Sequence, residues 1–167
     1  DCYMFRGMPI HAAHDGIVED VSLNISAGLG VTLITKEKYL FEGGNYYAST
    51  RYWHLLSVEV EKNQLIKTGD VIGYVDSTGY SSGDHLHFDL KAKLRNEQGQ
   101  WYSVFDTNGY NGAIDPMPYL VDLPVDFSKE LTEIVRADEF KYRWNTDMKF
   151  GERNEDIRKM QKALKLL

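Results

Sequence analysis

Residues 77–90 show the clearest alternation of polar and apolar side chains in this chain. A polar, glycine-containing stretch leads into a segment whose residues alternate in character: His85, Leu86, His87, Phe88, Asp89 and Leu90. Side chains two apart on a strand point to the same face, roughly 6–7 Å apart by the strand rise. We therefore predict a strand with His85, His87 and Asp89 on one face and the apolar residues on the other.

Other short segments also have the composition of strands. β-Branched and aromatic residues cluster over 17–21, 31–35, 46–55 and 101–104, and glycine-containing turns separate these clusters. No long helical pattern occurs before residue 128. We predict an all-β domain, built as an antiparallel sheet or sandwich.

The residue pattern changes after residue 115 from strand-like segments to a proline-rich stretch and then to helical periodicity. Three of the four prolines fall between 116 and 124, which indicates a domain edge. Ser128 to Arg136 could form a short helix. Asn154 is a suitable N-cap for a second, amphipathic helix whose apolar residues recur at 3-4-3 spacing: Ile157, Met160, Leu164 and Leu167. We predict a β domain over 1–122, a linker over 123–146 and a partial α-helical segment over 147–167.

Composition narrows the possible classes of protein. The 167 residues are 43% apolar and 13% aromatic, enough for a buried core. The net charge of −6, without a long basic run, argues against nucleic acid as a partner. A single cysteine, Cys2, excludes an internal disulfide framework and a cysteine-based zinc site. No apolar run reaches the length of a membrane span. The chain starts abruptly at Asp1 and stops within the second predicted helix, so we interpret it as a fragment. Separately, we expect it to be a monomer.

The two histidines of the alternating strand suit a shared site. One imidazole can bind a metal while its neighbour handles a proton. An isolated His-x-His is more often a solvated strand face, so the rest of the sequence decides between these interpretations.

Four motifs in order over roughly residues 1–120 support the functional interpretation. They are Asp1 followed by Gly7-x-Pro9-x-x-Ala12-x-x-x-Gly16; Tyr52-x-His54-Leu55; Lys67-x-Gly69-x-x-Ile72-Gly73 with Ser77-Thr78-Gly79; and His85-Leu86-His87-Phe88. Together these motifs resemble the lysostaphin-type zinc endopeptidases, which cut peptide bonds in bacterial cell walls. The segment from Asp115 to Leu120 resembles the usual end of that domain.

The resemblance implies a role for each matched residue. Asp1 and His87 correspond to zinc ligands, and His54 and His85 to catalytic histidines. A catalytic Zn²⁺ has three protein ligands and an open position for water, which it makes nucleophilic. The implied substrate is peptidoglycan, and the implied location is extracellular, periplasmic or wall-associated, or the protein is a phage lysin.

One departure from the family pattern leaves two interpretations open. The family has a further zinc-binding histidine four residues before the ligand aspartate, a position that would precede Asp1. If the chain is truncated, this fragment binds zinc weakly and does not hydrolyse its substrate. Otherwise it is a non-catalytic relative that binds cell wall or regulates another hydrolase.

Several other residues have alternative interpretations. His11 and His14 could replace a ligand, but their places in the pattern favour surface or hydrogen-bonded histidines. Cys2 is expected to be a small buried residue, and Asp89 either accepts a hydrogen bond from an imidazole or is solvated. Four tyrosines could line a peptide groove or occupy half-buried strand positions: Tyr46, Tyr47, Tyr52 and Tyr80.

Residues 148–164 resemble the opening of a three-helix peptidoglycan-binding module, with an ordinary amphipathic helix as the alternative. A biotinyl- or lipoyl-type carrier domain is disfavoured. The only pairings of lysine with methionine, Met148-Lys149 and Lys159-Met160, lie outside the β region.

Overall fold

The computed structural model describes residues 1–122 and 162–164. Its strands are β1 Cys2–Tyr3, β2 Pro9–His11, β3 Gly16–Asn24, β4 Gly28–Ile34, β5 Tyr39–Phe41, β6 Gly44–Val58, β7 Leu65–Ile66, β8 Val71–Val75, β9 His85–Arg95, β10 Trp101–Ser103, β11 Ala113–Ile114, β12 Leu120–Asp122 and β13 Lys162–Leu164. A single 3₁₀ turn, Met117–Tyr119, is the one helical element in the described residues. The all-β prediction is confirmed.

Strands β1 to β11 form one antiparallel sheet in which β6 and β9 are central. The main order is β1-β9-β6-β4-β3-β7; β10 and β11 also pair with β9, β5 pairs with β6, and β8 pairs with both β2 and β6. Strand β6 has 15 residues and β9 has 11, the two longest strands. The segment predicted as a strand over 46–55 therefore extends further at both ends.

The apolar face of β9 lies in the core, as the alternation predicts. Leu90 and Ala92 are fully buried, and Leu86 and Phe88 pack against the same cluster. The cluster also takes Val31 from β4 and other fully buried residues of β6. Truncating a buried leucine such as Leu90 to alanine costs about 2–5 kcal/mol, so the core fixes which face of β9 carries the histidines.

Two loops are locked together beside the start of β9. Gly28 has φ +71°, and a Cβ there would lie 2.3 Å from the Thr78 carbonyl oxygen. The Thr78 hydroxyl donates to the Leu55 carbonyl at 2.9 Å and accepts from the Leu29 amide at 3.1 Å. The Tyr80 amide donates to the Ser26 carbonyl at 2.7 Å. The loop that precedes β9 is thereby held against the β3–β4 hairpin.

The C-terminal predictions fall largely outside the described residues. Strands β12 and β13 form a separate two-stranded sheet, so Lys162–Leu164 are extended where the sequence predicts a helix. The pairing with β12 supplies these three residues with backbone partners that a helix would otherwise supply. The linker over 123–146, the short helix over 128–136 and the remaining residues of the 147–167 segment lie outside the described ranges and stay predictions. In residues 1–122 and 162–164, the structure has no helix that could cross a membrane.

Candidate active site

Strand β1 brings Asp1 to His87. Cys2 pairs with Leu86 and Tyr3 with His85, and this antiparallel register, continued by one residue, places Asp1 opposite His87. The Asp1 Oδ1 atom lies 2.8 Å from His87 Nδ1 and 3.8 Å from His85 Nε2. The two residues that the resemblance identifies as metal ligands therefore converge, although they are 86 positions apart.

An ion pair supports His87 from its other side. Asp89 Oδ2 lies 3.6 Å from His87 Nε2, and Arg51 donates from Nε to both oxygens of Asp89 at 2.8 and 3.0 Å. Arg51 and Asp89 face each other directly across β6 and β9. Burial alone raises the pKa of the Asp89 carboxyl, but the His87 imidazole and the Arg51 guanidinium outweigh it and lower that pKa below its ordinary value. Asp89 is therefore an ionised, buried partner of His87, and the solvated alternative is excluded.

His54 reaches the site through a β-bulge in β6. Between the pairs Leu29–Leu55 and Val31–Tyr52, three steps along β6 oppose two along β4. His54 has φ +66°, in the left-handed region that a non-glycine residue rarely adopts. Its amide still donates to the Ala27 carbonyl at 3.2 Å. Bulges often redirect a side chain next to an active site, and this one turns His54 toward β9.

The hydrogen bonds of His54 and His85 define their tautomers. His54 Nδ1 lies 2.7 Å from the Thr78 carbonyl oxygen, and His85 Nδ1 lies 2.8 Å from the Gly83 carbonyl oxygen. A carbonyl can only accept, so each Nδ1 carries the proton and each Nε2 has a free lone pair when the ring is neutral. The ring centroids lie 4.6 Å apart. Two proton acceptors are thus preorganised side by side.

These residues line one open pocket. Its walls are Asp1, His54, Tyr80, Ser81, Ser82, His85 and His87. All four residues that the sequence identifies as site residues are therefore brought together, and Tyr80 and the two serines join them from the glycine-rich loop.

The donors in this pocket fit a metal ion in kind. If the His87 Nε2 proton points to Asp89, the Nδ1 lone pair is available beside the Asp1 carboxylate, so Asp1 and His87 are the residues that would hold a metal ion. An imidazole nitrogen with a carboxylate oxygen is a donor set that suits zinc. Within the part of the chain that the structure describes, however, no group of three or more His, Cys, Asp or Glu side chains is placed to hold a metal ion. The described site therefore supplies two donors of the right chemistry.

His11 and His14 lie outside the pocket. His11 Nδ1 contacts the Gly69 carbonyl oxygen at 2.8 Å. His14 is buried, with Nδ1 2.9 Å from the Asp15 carbonyl oxygen and Nε2 3.0 Å from Thr50 Oγ1. Burial lowers the pKa of His14. Both residues therefore match the hydrogen-bonded alternative, whereas Cys2 is only half-buried rather than buried.

The four tyrosines considered as groove residues have different environments. Tyr80 is 91% exposed at the pocket, whereas Tyr52 is 1% exposed. Burial raises the pKa of Tyr52 to about 12, and its hydroxyl oxygen accepts a hydrogen bond from the Ala13 amide at 2.9 Å. Tyr46 packs edge-on against Phe41, and Tyr47 against Trp101. Of these four tyrosines, Tyr80 alone is therefore placed to contact a molecule in the histidine pocket.

Sequence reasoning missed the residues that orient the histidines. Arg51 lies two positions before Trp53 on β6, and the alternation along that strand was the only signal for its face. Arg51 and Asp89 are 38 positions apart in the sequence, so their pairing depends on the register between β6 and β9. The carbonyl groups of Thr78 and Gly83 have no side-chain signature, so only the structure reveals them.

Comparison with known proteins identifies relatives of this chain. A glycyl-glycine endopeptidase from Staphylococcus capitis is 32% identical over 123 residues, which are 72% of this chain and 28% of that protein. A peptidoglycan DD-endopeptidase from Vibrio cholerae is 35% identical over 89 residues, 53% of this chain and 19% of that protein. The chain thus spans less than a third of the length of these relatives.

A solved structure gives the same result for the fold. The catalytic domain of lysostaphin from Staphylococcus simulans matches with a TM-score of 0.52 and 26% sequence identity, over 70% of this chain and 73% of that domain. Residues 1–100, which include all four candidate site residues, match the model of Peptidase family M23. The chain therefore belongs to peptidase family M23.

Proposed function

We propose that this protein is a zinc-dependent endopeptidase that hydrolyses peptide bonds in the stems or cross-bridges of bacterial peptidoglycan. The observation that carries the proposal is the convergence of His54 and His85, each with Nδ1 bonded to a backbone carbonyl, on the pocket that also holds the Asp1–His87 pair. Membership of family M23 and relatives that are named peptidoglycan and glycyl-glycine endopeptidases support the same chemistry and substrate.

Asp1 and His87 would hold the metal ion, which supplies a Lewis acid that polarises the scissile carbonyl and activates water. Asp89 orients the His87 ring by facing its Nε2 atom. His54 and His85 present Nε2 lone pairs, so one can remove the proton of the attacking water and the other, when protonated, can donate to the developing oxyanion or to the leaving amine. The family pattern gives the third ligand as a histidine four residues before Asp1.

The second candidate is a non-catalytic wall-binding or regulatory relative. The observation that favours it is that the described residues bring only two donors together, whereas a catalytic zinc takes three protein ligands. The two candidates differ in what a third ligand does. An endopeptidase gains tight zinc binding and turnover when the upstream histidine is present, whereas a non-catalytic relative gains neither.

The test compares this chain with a version extended upstream to include that histidine. We expect the extended protein to bind zinc tightly, to release soluble peptides from purified peptidoglycan, and to lose and regain this activity with a chelator and added zinc. The chain that starts at Asp1 should bind zinc weakly and release nothing. Equal tight binding by both would contradict the ligand assignment, and tight binding without hydrolysis would favour the second candidate.

The proposal extends to location and to the C-terminal segment. A peptidoglycan substrate places the protein outside the cytoplasm, at the cell wall or in the periplasm, or in a phage lysin. Residues 147–167 are proposed as the start of a peptidoglycan-binding module behind a linker over 123–146. Limited proteolysis should cut first between about residues 120 and 145, and first cuts within 20–110 would contradict the two-domain interpretation.

A further inference from the structure

The sheet face that carries the histidines continues to a second concave site. Directly opposed residues of an antiparallel pair share a face, and the opposed pairs of β6 and β9 run in order along this face. They are Trp53 with His87, Arg51 with Asp89, Ser49 with Lys91 and Tyr47 with Lys93, followed by Arg95 with Trp101 of β10. The eight steps from His87 to Arg95 span about 26 Å at the usual strand rise.

This second site, which we call the distal groove, combines aromatic rings with cations. Its walls include Tyr47, Trp101, Arg95, Lys36 and Lys62. The Trp101 and Tyr47 rings pack edge-on with centroids 4.9 Å apart. The Arg95 guanidinium carbon lies 4.3 Å from the centre of the Trp101 ring. Stacking on an indole limits the freedom of a guanidinium while its N–H groups stay available to a ligand.

The charges of the distal groove favour an anion. Its two carboxylates are already paired: Glu19 accepts from Lys93 Nζ at 2.9 and 2.8 Å, and Asp20 lies 3.5 Å from Lys62 Nζ. Arg95 and Lys36 add two exposed cations, and Lys38 lies over the Tyr47 ring at 5.6 Å. A local excess of positive charge thus occurs on a protein whose net charge is −6.

The region between the two sites is occupied. Lys91 is buried and its Nζ donates to the Asn111 carbonyl at 2.5 Å, so the loop that carries Asn111 reaches this face. The two concavities are therefore distinct sites on one face. Because about 26 Å separates them, a ligand that occupies both must be a polymer.

We propose that the distal groove binds a carboxylate-bearing segment of the same polymer that the histidine pocket cleaves, with Arg95 as the principal contact. The inference rests on the proposed function for the identity of the polymer. A guanidinium pairs with a carboxylate through two parallel N–H···O bonds, and the aromatic rings beside it provide an apolar floor. The distal groove would thus determine which stretches of wall the enzyme engages.

The test is cosedimentation with insoluble purified peptidoglycan, with a chelator present so that nothing is cleaved. One batch of peptidoglycan is native, and in the other the carboxyl groups have been converted to amides. The exposed Arg95 is replaced in Arg95→Gln, and Lys67→Gln is the matched control. Lys67 is exposed and lies outside the distal groove, and its replacement by glutamine removes the same charge as Arg95→Gln. Thermal melts confirm that both variants fold.

We expect Arg95→Gln to raise the Kd for native peptidoglycan about tenfold and to leave binding to the amidated batch unchanged. Lys67→Gln should bind both batches as the unmodified chain does. Trp101→Ala should reproduce the direction of the Arg95→Gln effect, because it removes the surface on which the guanidinium stacks.

Equal weakening by Arg95→Gln and Lys67→Gln, equal weakening on both batches, or no effect of Arg95→Gln would each overturn the proposal. Hydrolysis is measured separately with the upstream-extended protein and zinc. If hydrolysis occurs but the carboxylate-dependent binding does not, only the distal groove is wrongly assigned. If the binding pattern occurs without hydrolysis, the endopeptidase proposal fails and the distal groove stands.

Discussion

His54 and His85 face each other across the pocket, but the backbone presents them in opposite ways. His85 begins β9, a regular strand whose alternation also aligns His87 and Asp89. His54 lies in a bulge of β6 with φ +66°. The Nδ1 proton of each is bonded to a carbonyl on the loop between β8 and β9, at Thr78 and at Gly83. One loop therefore sets the tautomer of both histidines.

This difference separates placement from orientation. The regular strand places three polar side chains by periodicity alone, whereas the bulge places one side chain at the expense of a backbone conformation that costs about 1–3 kcal/mol. Orientation is common to both and depends on the glycine-containing loop. Substitutions in the loop should therefore disturb the orientation of both histidines. Substitutions in one strand should disturb the placement of the histidine on that strand alone.

The largest expected effect is on catalysis. In the upstream-extended protein with zinc, His54→Ala and His85→Ala should each lower kcat on purified peptidoglycan by at least ~10²-fold, the usual contribution of a positioned proton-transfer group. Bound zinc, measured by metal analysis after dialysis, should be nearly unchanged in both variants. Near-normal turnover in either variant would show that its histidine has no part in proton transfer.

The next effect concerns the ion pair behind His87. Asp89→Asn should weaken zinc binding by about 10- to 100-fold, as loss of a carboxylate behind a ligating histidine commonly does. A chelator competition titration of the extended protein measures this. Asp84→Asn, on the loop before β9, is the matched control and should leave zinc affinity unchanged. If the two variants bind zinc alike, Asp89 does not orient His87.

The sequence predicts how β9 orients its site residues, but it predicts little of how β6 orients His54. Strict alternation places His85, His87 and Asp89 on one face, because a strand that buries Leu90 has no other way to orient them. A bulge leaves no such periodic signal. His54 was found only through its resemblance to a family motif, and its left-handed backbone was not predicted. The Asp1–His87 contact likewise depends on strand register, which local residue pattern does not encode.

A glycine beneath the bulge provides the third test. A Cβ at Gly30 would lie 2.1 Å from a ring carbon of Trp53, the residue before His54. Gly30→Ala should therefore lower the free energy of unfolding by about 1–3 kcal/mol, a typical cost of overpacking. It should also lower kcat by displacing His54. Gly83→Ala, where a Cβ meets no atom within 4 Å, should be nearly neutral in urea denaturation; equal losses would contradict the steric explanation.

The free energy of unfolding should depend on pH through His14, which is buried beneath β6 and β9. His14 contacts Thr50, which pairs with Leu90 across β6 and β9. Burial lowers the pKa of His14, so the unfolded chain binds a proton before the folded chain does. Its contribution to stability is complete above the unfolded pKa of about 6.5 and is lost as pH falls toward the folded pKa, by up to ~1.4 kcal/mol per pH unit. Urea denaturation between pH 8 and 5 measures this slope.

His14→Gln should flatten that slope, because glutamine does not titrate but can still bond to Thr50. His11→Gln retains His14 and should retain its part of the slope. An unchanged slope in His14→Gln would show that another group dominates stability in this pH range.

The smallest effect distinguishes the two backbones directly. His54→Gly should be at least as stable as His54→Ala, because both lose the imidazole contacts but glycine adopts φ +66° without strain. His85→Gly should be less stable than His85→Ala by about 0.5–1 kcal/mol, the usual cost of glycine within a strand. If glycine costs as much relative to alanine at position 54 as at position 85, the bulge at His54 stores no strain.

The aromatic contacts at the end of the β domain bear on where this domain can be joined to another. Tyr119 packs edge-on against Phe41 with ring centroids 5.7 Å apart, and its hydroxyl donates to Glu42 Oε1 at 2.7 Å. Tyr46 extends the cluster from Phe41 to Phe105. A chimera that replaces the C-terminal segment should therefore be joined after Leu120. A junction before Pro116 would remove Tyr119 and expose the side of Phe41 that it covers. The β domain of such a chimera would be less stable, whichever module follows it.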